Sequence, residues 1–293
     1  MPIEFESPKP ITQAQFMLKT VGEEMIRPKS RYFDEHEHEI PWDYIEFMHM
    51  AMKASGGSSL APREESSNGR GDRGEGKHPP IGYQLIATQI ESLAWGDLGF
   101  YHCLPGGALG AAAIHAAGTS EQKEKFLARF KGEKPTFAAM CITEPGAGSD
   151  NSAIRTRATL DDKTNEWVIN GEKIFVTGGD KSFTAYEKLG KGFIVVWATI
   201  DPSAGRAGMR AFVVEGGTPG ITIVKLEHKM GIKASDTAAI SLVDARVPFD
   251  HILGSATVEK TTSGFKGAMA TFDATRPLVA ASGLGVARAA LEF

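Results

Sequence analysis

Apolar residues near the start of the chain recur at the spacing of an amphipathic helix. From Thr12 to Ile26 they return every three or four positions, and Pro10 and Pro28 bracket the segment. A second apolar-rich segment runs from Trp42 to Lys53, directly after Pro41. We therefore predict two helices at the beginning of the chain.

Residues 55 to 78 break this pattern. They include six glycines and eight charged residues but only one large aliphatic residue, Leu60. Because so little apolar surface can offset the entropy lost on ordering, we predict a flexible loop. Helical spacing resumes at Pro80 and continues, with breaks, to Ala116. The segment from Thr119 to Gln122 has the form of a capping box, which predicts a short helix ending near Phe130.

Beyond Pro135 the apolar residues change from a helical period to alternation, as expected for strands. Turn residues separate the apolar runs, and no helices alternate with them, so the segment fits an all-β domain and not a Rossmann unit. Helical spacing returns from Ser263 to the end. No helix stop signal precedes Phe293, so we expect this helix to be cut short. The predicted strands are Trp167–Ile169, Phe193–Ile200, Ala211–Glu215, Ile221–Val224 and Ala239–Val243.

The chain carries slightly more acidic than basic residues. The 293 residues include 32 Lys and Arg against 36 Asp and Glu, a formal net charge of −4. We therefore expect neither nucleic acid nor an anionic membrane as a partner. Two cysteines, Cys103 and Cys141, form no C-x-x-C pattern, which fits a reducing, cytoplasmic compartment. The acidic opening residues and the lack of a long apolar run indicate neither a targeting signal nor a membrane span.

A histidine pair lies within an acidic stretch from Asp34 to Glu39. On a helix His36 and His38 face apart, and on a strand they supply only two ligands on one face. We interpret the stretch as solvated and predict no metal site. The isolated histidines elsewhere, His228 among them, receive no role.

The strongest local motif lies where the predicted helices give way to strands. It runs from Met140 to Asp150 with the sequence MCITEPGAGSD. Glycines beside a hydroxyl allow backbone N–H groups to approach a phosphate closely, because no Cβ intervenes. The spacing is neither that of G-x-G-x-x-G nor that of a P-loop, and alone it is more typical of an ordinary turn.

Further segments follow this motif in a particular order. Together with it they resemble the acyl-CoA dehydrogenase family from about Ala87 to Phe293, whereas the preceding residues match only loosely. The segments are 167–179 (WVINGEKIFVTGG), 229–237 (KMGIKASDT), 247–248 (VP), 264–266 (GFK) and 271–277 (TFDATRP).

The resemblance implies an α+β multidomain fold. A helical N-terminal domain would cover residues 1–134, a middle β-barrel domain residues 135–254, and the first helix of a truncated C-terminal helical bundle residues 255–293. FAD would lie between the barrel and the helices.

The same resemblance implies dehydrogenation of an acyl-CoA thioester between Cα and Cβ, in fatty acid metabolism. A carboxylate base would remove the α-proton while hydride passes to flavin N5. The enzyme would form a homo- or hetero-oligomer and pass electrons to an electron-transferring flavoprotein. Because one fold hosts several reactions, a flavin oxidase or monooxygenase remains an alternative.

The resemblance also suggests individual site residues. Phe175 falls where an aromatic ring packs on the flavin, although a core aromatic would have the same spacing, and Thr177 where a hydroxyl reaches flavin N5. Arg276 offers a permanent charge near the CoA, or is a solvated helix arginine. The implied cofactor-binding residues are Met140, Cys141, Ile142, Thr143, Gly148, Ser149, Phe175, Val176 and Thr177, and the implied substrate-binding residues are Ser149, Asp273, Ala274, Thr275 and Arg276.

The catalytic base is the gap in this pattern. Some relatives carry a glutamate just before the arginine of the last helix, where this chain has Thr275. A threonine hydroxyl cannot act as a carboxylate base, so we expect the base beyond Phe293 or on a partner chain and identify no catalytic residue in this chain. The alternatives are a fragment of a longer enzyme, a half-subunit completed by a partner, and a non-catalytic subunit.

Overall fold

The computed structural model describes residues 7–54, 82–106, 108–258 and 265–293. The part of the chain described from residue 7 onward begins with one long helical segment, and a separate helix follows. The sequence predicted that Pro28 ends the first helix. Instead, Pro28 lies in the first turn of the helix that continues it. Proline is tolerated there because first-turn N–H groups have no intrahelical partner. These elements are α1 (Lys9–Val21), a π-helical turn (Gly22–Ile26), α2 (Arg27–Glu35) and α3 (Trp42–Ala54).

Within the described residues four more helices precede the sheet, and the sequence explains where two of them begin. Asp97 starts α5 by accepting hydrogen bonds from the N–H groups of Gly99, at 2.6 Å, and Phe100, at 3.3 Å. The capping box predicted at Thr119 and Gln122 is confirmed at the start of α7. The predicted loop over residues 55–78 lies outside the described residues. The helices are α4 (Gly82–Gly96), α5 (Leu98–Tyr101), α6 (Ala108–Ala117) and α7 (Ser120–Leu127), which ends in a 3₁₀ turn (Ala128–Lys131).

The strands form one seven-stranded sheet with mixed parallel and antiparallel pairing. Its order is β1-β4-β2-β3-β7-β6, and β5 pairs with β4. The five strands predicted from alternation are present, whereas β1 and β2 were not predicted. All four residues of β1 are buried, so its sequence does not alternate. The strands are β1 (Ala138–Cys141), β2 (Arg157–Asp161), β3 (Glu166–Thr177), β4 (Phe193–Thr199), β5 (Met209–Glu215), β6 (Ile221–Leu226) and β7 (Thr237–Pro248).

The sheet curls and has a buried apolar cluster on each face. Alternation along β1 sends Ala139 and Cys141 into the cluster inside the curl, and Met140 into the cluster on the other side. The second cluster includes residues of α6 and α7 and of the last helix, α9 (Phe265–Glu292), which packs against α4 and α6. A short helix, α8 (Gly179–Phe183), follows β3.

This architecture confirms the predicted α+β fold, with N-terminal helices, a curled sheet in the middle and a long helix at the end. The domain boundaries at residues 134 and 254 stay predictions. Among the described residues, no helix combines the length and the apolar character needed to cross a membrane.

Candidate functional site

A cleft of about 640 Å³ lies where one edge of the sheet meets the last helix. We call it the β1–α9 cleft. It collects residues from the end of β1 and the turn after it, from β3 and from α9, which are far apart in sequence. Its lining residues are Leu109, Met140, Ile142, Thr143, Gly148, Ser149, Asn151, Ile174, Phe175, Arg206, Met269, Phe272 and Arg276.

The turn after β1 forms one wall of this cleft. Glu144 and Ala147 exchange two backbone hydrogen bonds of 3.1 Å, which close the turn before Gly148 and Ser149. The N–H of Ile174 on β3 donates to the carbonyl of Thr143 at 2.9 Å. The turn is therefore held against β3, and the motif around residue 148 and the segment around residue 175 face one cavity.

A buried ion pair between the turn and β3 holds the same turn in place. Lys173 is fully buried, and its Nζ donates to Oε1 of Glu144 at 2.7 Å and to the carbonyl of Ile142 at 3.1 Å. Glu144 also accepts hydrogen bonds from the backbone N–H groups of Arg155 and Thr156 and from the Thr156 hydroxyl. Burial raises the pKa of Glu144, but Lys173 and these hydrogen bonds outweigh it, so the net pKa lies below its usual value.

Phe175 reaches the cleft because of a bulge in β3. Ile174 and Phe175 together oppose Ala239 alone on β7, and Phe175 has a φ of 57°, in the left-handed region. The bulge turns the ring outward, and 62% of Phe175 is exposed. A large aromatic in a strained backbone conformation that lines a cleft fits a ligand-stacking position better than a core position.

Three of the predicted cofactor residues are not among those lining the cleft. Cys141 and Val176 belong to the cluster inside the curled sheet, and burial raises the pKa of the Cys141 thiol to about 12. Any contact between these two residues and a ligand in the cleft would therefore involve their backbone. Thr177 lies half-buried at the end of β3, opposite Thr237.

Of the predicted substrate residues on α9, only Arg276 lines the cleft. Its Nη1 lies 3.2 Å from Oδ1 of Asp273, one helical turn earlier. Ala274 and Thr275 lie next to it but are not among the lining residues. The Thr275 hydroxyl donates to the carbonyl of Thr271 at 2.9 Å, inside the helix.

Two features of the site were not predicted. Arg206, from the loop between β4 and β5, brings a second guanidinium to the cleft, and its Nη2 lies 3.8 Å from Oδ1 of Asp150. The Glu144–Lys173 pair fell within quoted motifs but received no role. A charged residue at a strand position that should be buried, as Lys173 is in β3, was the available signal.

Comparisons with known proteins point to one family. A family model described as the acyl-CoA dehydrogenase middle domain matches residues 139–245. Acryloyl-CoA reductase (NADH) from Anaerotignum propionicum is 43% identical over 183 residues, which are 62% of this chain and 42% of that protein. A probable medium-chain specific acyl-CoA dehydrogenase from Caenorhabditis briggsae is 37% identical over 277 residues, 92% of this chain and 59% of that protein.

The fold gives the same relationship over a longer span. The structure of butyryl-CoA dehydrogenase from Megasphaera elsdenii superimposes with a TM-score of 0.74 and 31% identity, covering 99% of this chain and 69% of that one. The chain spans 42% and 59% of the length of the two curated relatives named above. On these matches, the chain belongs to the acyl-CoA dehydrogenase family.

Proposed function

We propose that the β1–α9 cleft holds the flavin of FAD and that the protein takes part in α,β-dehydrogenation of an acyl-CoA thioester. The observation that carries this proposal is the meeting of Gly148, Ser149, Phe175 and Arg276 in one cleft. The two relatives named medium-chain acyl-CoA dehydrogenase and butyryl-CoA dehydrogenase support this reaction class.

The residues around the cleft fit a flavin nucleotide. A Cβ added at Gly148 would meet no protein atom within 4 Å, and φ at Gly148 is not in the left-handed region. Neither packing nor backbone conformation therefore requires a glycine, whereas a pyrophosphate approaching the backbone does. Met140 and Ile142 offer an apolar wall, and Phe175 a ring face, for a flat aromatic ligand.

The side chains of this chain then have separable tasks. FAD, when bound, supplies the hydride acceptor for the β-carbon. Apolar residues on β1 and α9 keep water from the reacting region, and the guanidinium groups of Arg206 and Arg276 provide positive charge for phosphate groups. Glu144 and Lys173 hold the glycine turn and β3 at a set distance. The role of Thr177 at flavin N5 stays a prediction.

A carboxylate base is not among the residues that line the cleft in the described parts of the chain. Thr275 does not replace it, because its hydroxyl is bonded within the helix. We propose that the base comes from a segment after Phe293 or from a partner chain. Assembly as a homo- or hetero-oligomer, electron transfer to an electron-transferring flavoprotein and a cytoplasmic location belong to this proposal and rest on the family resemblance.

The cofactor part is tested by titrating the purified full chain with FAD and following flavin fluorescence. We expect one FAD per chain. Loss of a stacked aromatic costs about 1 kcal/mol, so Phe175→Ala should weaken binding about fivefold. Phe16→Ala is the matched control, because Phe16 is 75% exposed on α1 and distant in sequence from the cleft residues. Equal effects of the two substitutions, or no binding by the wild type, would contradict the proposal.

The reaction is tested by anaerobic addition of butyryl-CoA to the FAD complex. Bleaching of the oxidised flavin absorbance is the result expected if the base is present in the sample. A flavin that binds stoichiometrically but is not bleached supports the alternative of a non-catalytic subunit. Rapid oxygen consumption without acyl-CoA turnover would support an oxidase.

A further inference from the structure

Two histidines and a glutamate meet on the side of the molecule where the N-terminal helices contact the loop between β6 and β7. Glu37 and His38 follow the end of α2, and His228 lies in the loop after β6. One potential ligand atom from each of these three residues lies within 4.8 Å of the other two. None of the three lines the β1–α9 cleft.

His38 lacks the partners that a buried imidazole normally has. Both of its ring nitrogens are inaccessible to solvent, and neither forms a hydrogen bond. Buried polar atoms in native proteins almost always have a partner, and an unsatisfied one calls for an explanation such as an ion. The His38 ring lies 5.2 Å from the His228 ring, centroid to centroid, so its nitrogens are close to a second potential ligand.

Glu37 brings a negative charge to the same point. Nδ1 of His228 donates to Oε2 of Glu37 at 2.8 Å, and the Lys229 backbone N–H donates to Oε1 at 2.7 Å. The carboxylate accepts both hydrogen bonds and lies within reach of the two imidazoles as a potential oxygen ligand.

Two lysines in the segments that carry or flank this cluster have oxygen partners of their own. Nζ of Lys229 donates to the backbone carbonyls of Ile232 and Ser235, and Nζ of Lys233 pairs with Asp34 at 3.7 Å. Both ammonium groups therefore have oxygen partners outside the Glu37–His38–His228 cluster.

We propose that Glu37, His38 and His228 form a binding site for a divalent transition-metal ion, with Zn²⁺ the best match. Two imidazoles and a carboxylate with an open fourth position are a common Zn²⁺ ligand set, whereas Mg²⁺ and Ca²⁺ prefer oxygen ligands. His228 would exchange its hydrogen bond to Glu37 for the metal. At Zn–ligand distances of about 2.1 Å, tetrahedral ligand atoms lie roughly 3.4 Å apart, so small side-chain rotations suffice.

Such an ion would join the end of α2 to the loop between β6 and β7. The acidic stretch from Asp34 to Glu39 supplies only two ligands by itself, which is why the sequence predicted no metal site. The third ligand comes from His228, which the fold brings close although it lies 191 residues beyond Glu37.

The test is calorimetric titration of the chelator-treated full chain with ZnCl₂, without FAD or acyl-CoA. We expect one high-affinity Zn²⁺ per chain, a rise in melting temperature with Zn²⁺, and visible absorption bands of tetrahedral geometry when CoCl₂ is used. His38→Ala and His228→Ala should each weaken Zn²⁺ binding about 10-fold or more. Because the His228 side chain is 86% exposed, His228→Ala is expected to fold even if His38→Ala does not.

His36→Ala is the matched control. His36 lies in the same stretch, but its Nδ1 donates to the carbonyl of Tyr32 at 2.9 Å, and it is not part of the cluster. Zn²⁺ binding that is unchanged in this variant supports the assignment. The proposal is overturned if the wild type binds no Zn²⁺ stoichiometrically, or if His36→Ala weakens binding as much as His228→Ala. Because no flavin is present, either result leaves the proposed function untouched.

Discussion

Replacing Lys173 by methionine should destabilise the protein through the turn that borders the β1–α9 cleft. Lys173 is fully buried and Glu144 is 6% exposed, so the substitution leaves a buried carboxylate without its cation. Removing one partner of a buried pair costs about 3–5 kcal/mol. Glu144 keeps the hydrogen bonds from Arg155 and Thr156, so we expect the lower limit, about 3 kcal/mol.

The measurement is urea unfolding of the FAD-free protein at pH 7, followed by tryptophan fluorescence. With a urea dependence of about 3 kcal/mol per molar, the midpoint should fall by about 1 M. Lys53→Met is the matched control, because Lys53 pairs with Glu133 at 2.9 Å on the surface. An exposed pair contributes at most about 1 kcal/mol, so this control should move the midpoint by less than about 0.3 M.

A double variant separates the charge effect from a packing effect. In Glu144→Gln with Lys173→Met both charges are absent, and the amide oxygen can still accept from the N–H groups that Glu144 uses. We expect the double variant to be more stable than Lys173→Met alone. A change of less than about 1 kcal/mol in the free energy of unfolding for Lys173→Met, or no recovery on removing the second charge, would show that the buried pair does not stabilise this turn.

Three further outcomes follow from the structure. Gly148→Ala should weaken FAD binding about fivefold or more, while the free energy of unfolding changes by less than about 0.5 kcal/mol. Gly146→Ala is the control: an added Cβ meets no atom there either, but Gly146 does not line the cleft, so FAD binding should be unchanged. Burial raises the pKa of Glu215, but its Lys191 and Arg129 partners lower it to about 2. Ionised Glu215 therefore contributes fully to the free energy of unfolding above about pH 5, and this contribution is lost as the pH falls. Wild type should therefore lose about 3 kcal/mol more of its free energy of unfolding than Glu215→Gln between pH 6 and pH 2, and parallel losses would contradict this. Gln122→Ala should cost about 2 kcal/mol in the same assay, because Gln122 caps α7 and donates to the carbonyls of Asp250 and Ile252; a cost near zero would mean that water replaces these bonds.

The strands that followed from sequence show either alternation of apolar and polar residues or, as in the buried strands β4 and β5, a run rich in β-branched and aromatic residues. The pattern is clear in β3 and β7, where apolar and polar residues alternate over much of the strand. In β1 both faces are buried against different clusters, and its four residues, AAMC, include no β-branched or aromatic residue, so neither signal is present. Pro28 misled the prediction because a proline ends one helix and begins another with equal ease.

The candidate site, too, was predicted only where its residues lie in contiguous sequence motifs. The glycine turn and Phe175 were found because each lies in a contiguous motif, and the structure brings them to one cleft. Arg206 was missed because a loop arginine carries no local signal of the surface that it borders. His228 was missed as a partner of Glu37 for a similar reason, since only the folded chain places the loop after β6 against the end of α2.

The most direct test of the central claim is an experimental structure of the chain with FAD. We expect the isoalloxazine ring against Phe175 and Met140, and the pyrophosphate at the N–H groups of Gly148 and Ser149. FAD bound elsewhere on the molecule, or a cleft that closes by packing Phe175 onto α9, would contradict it.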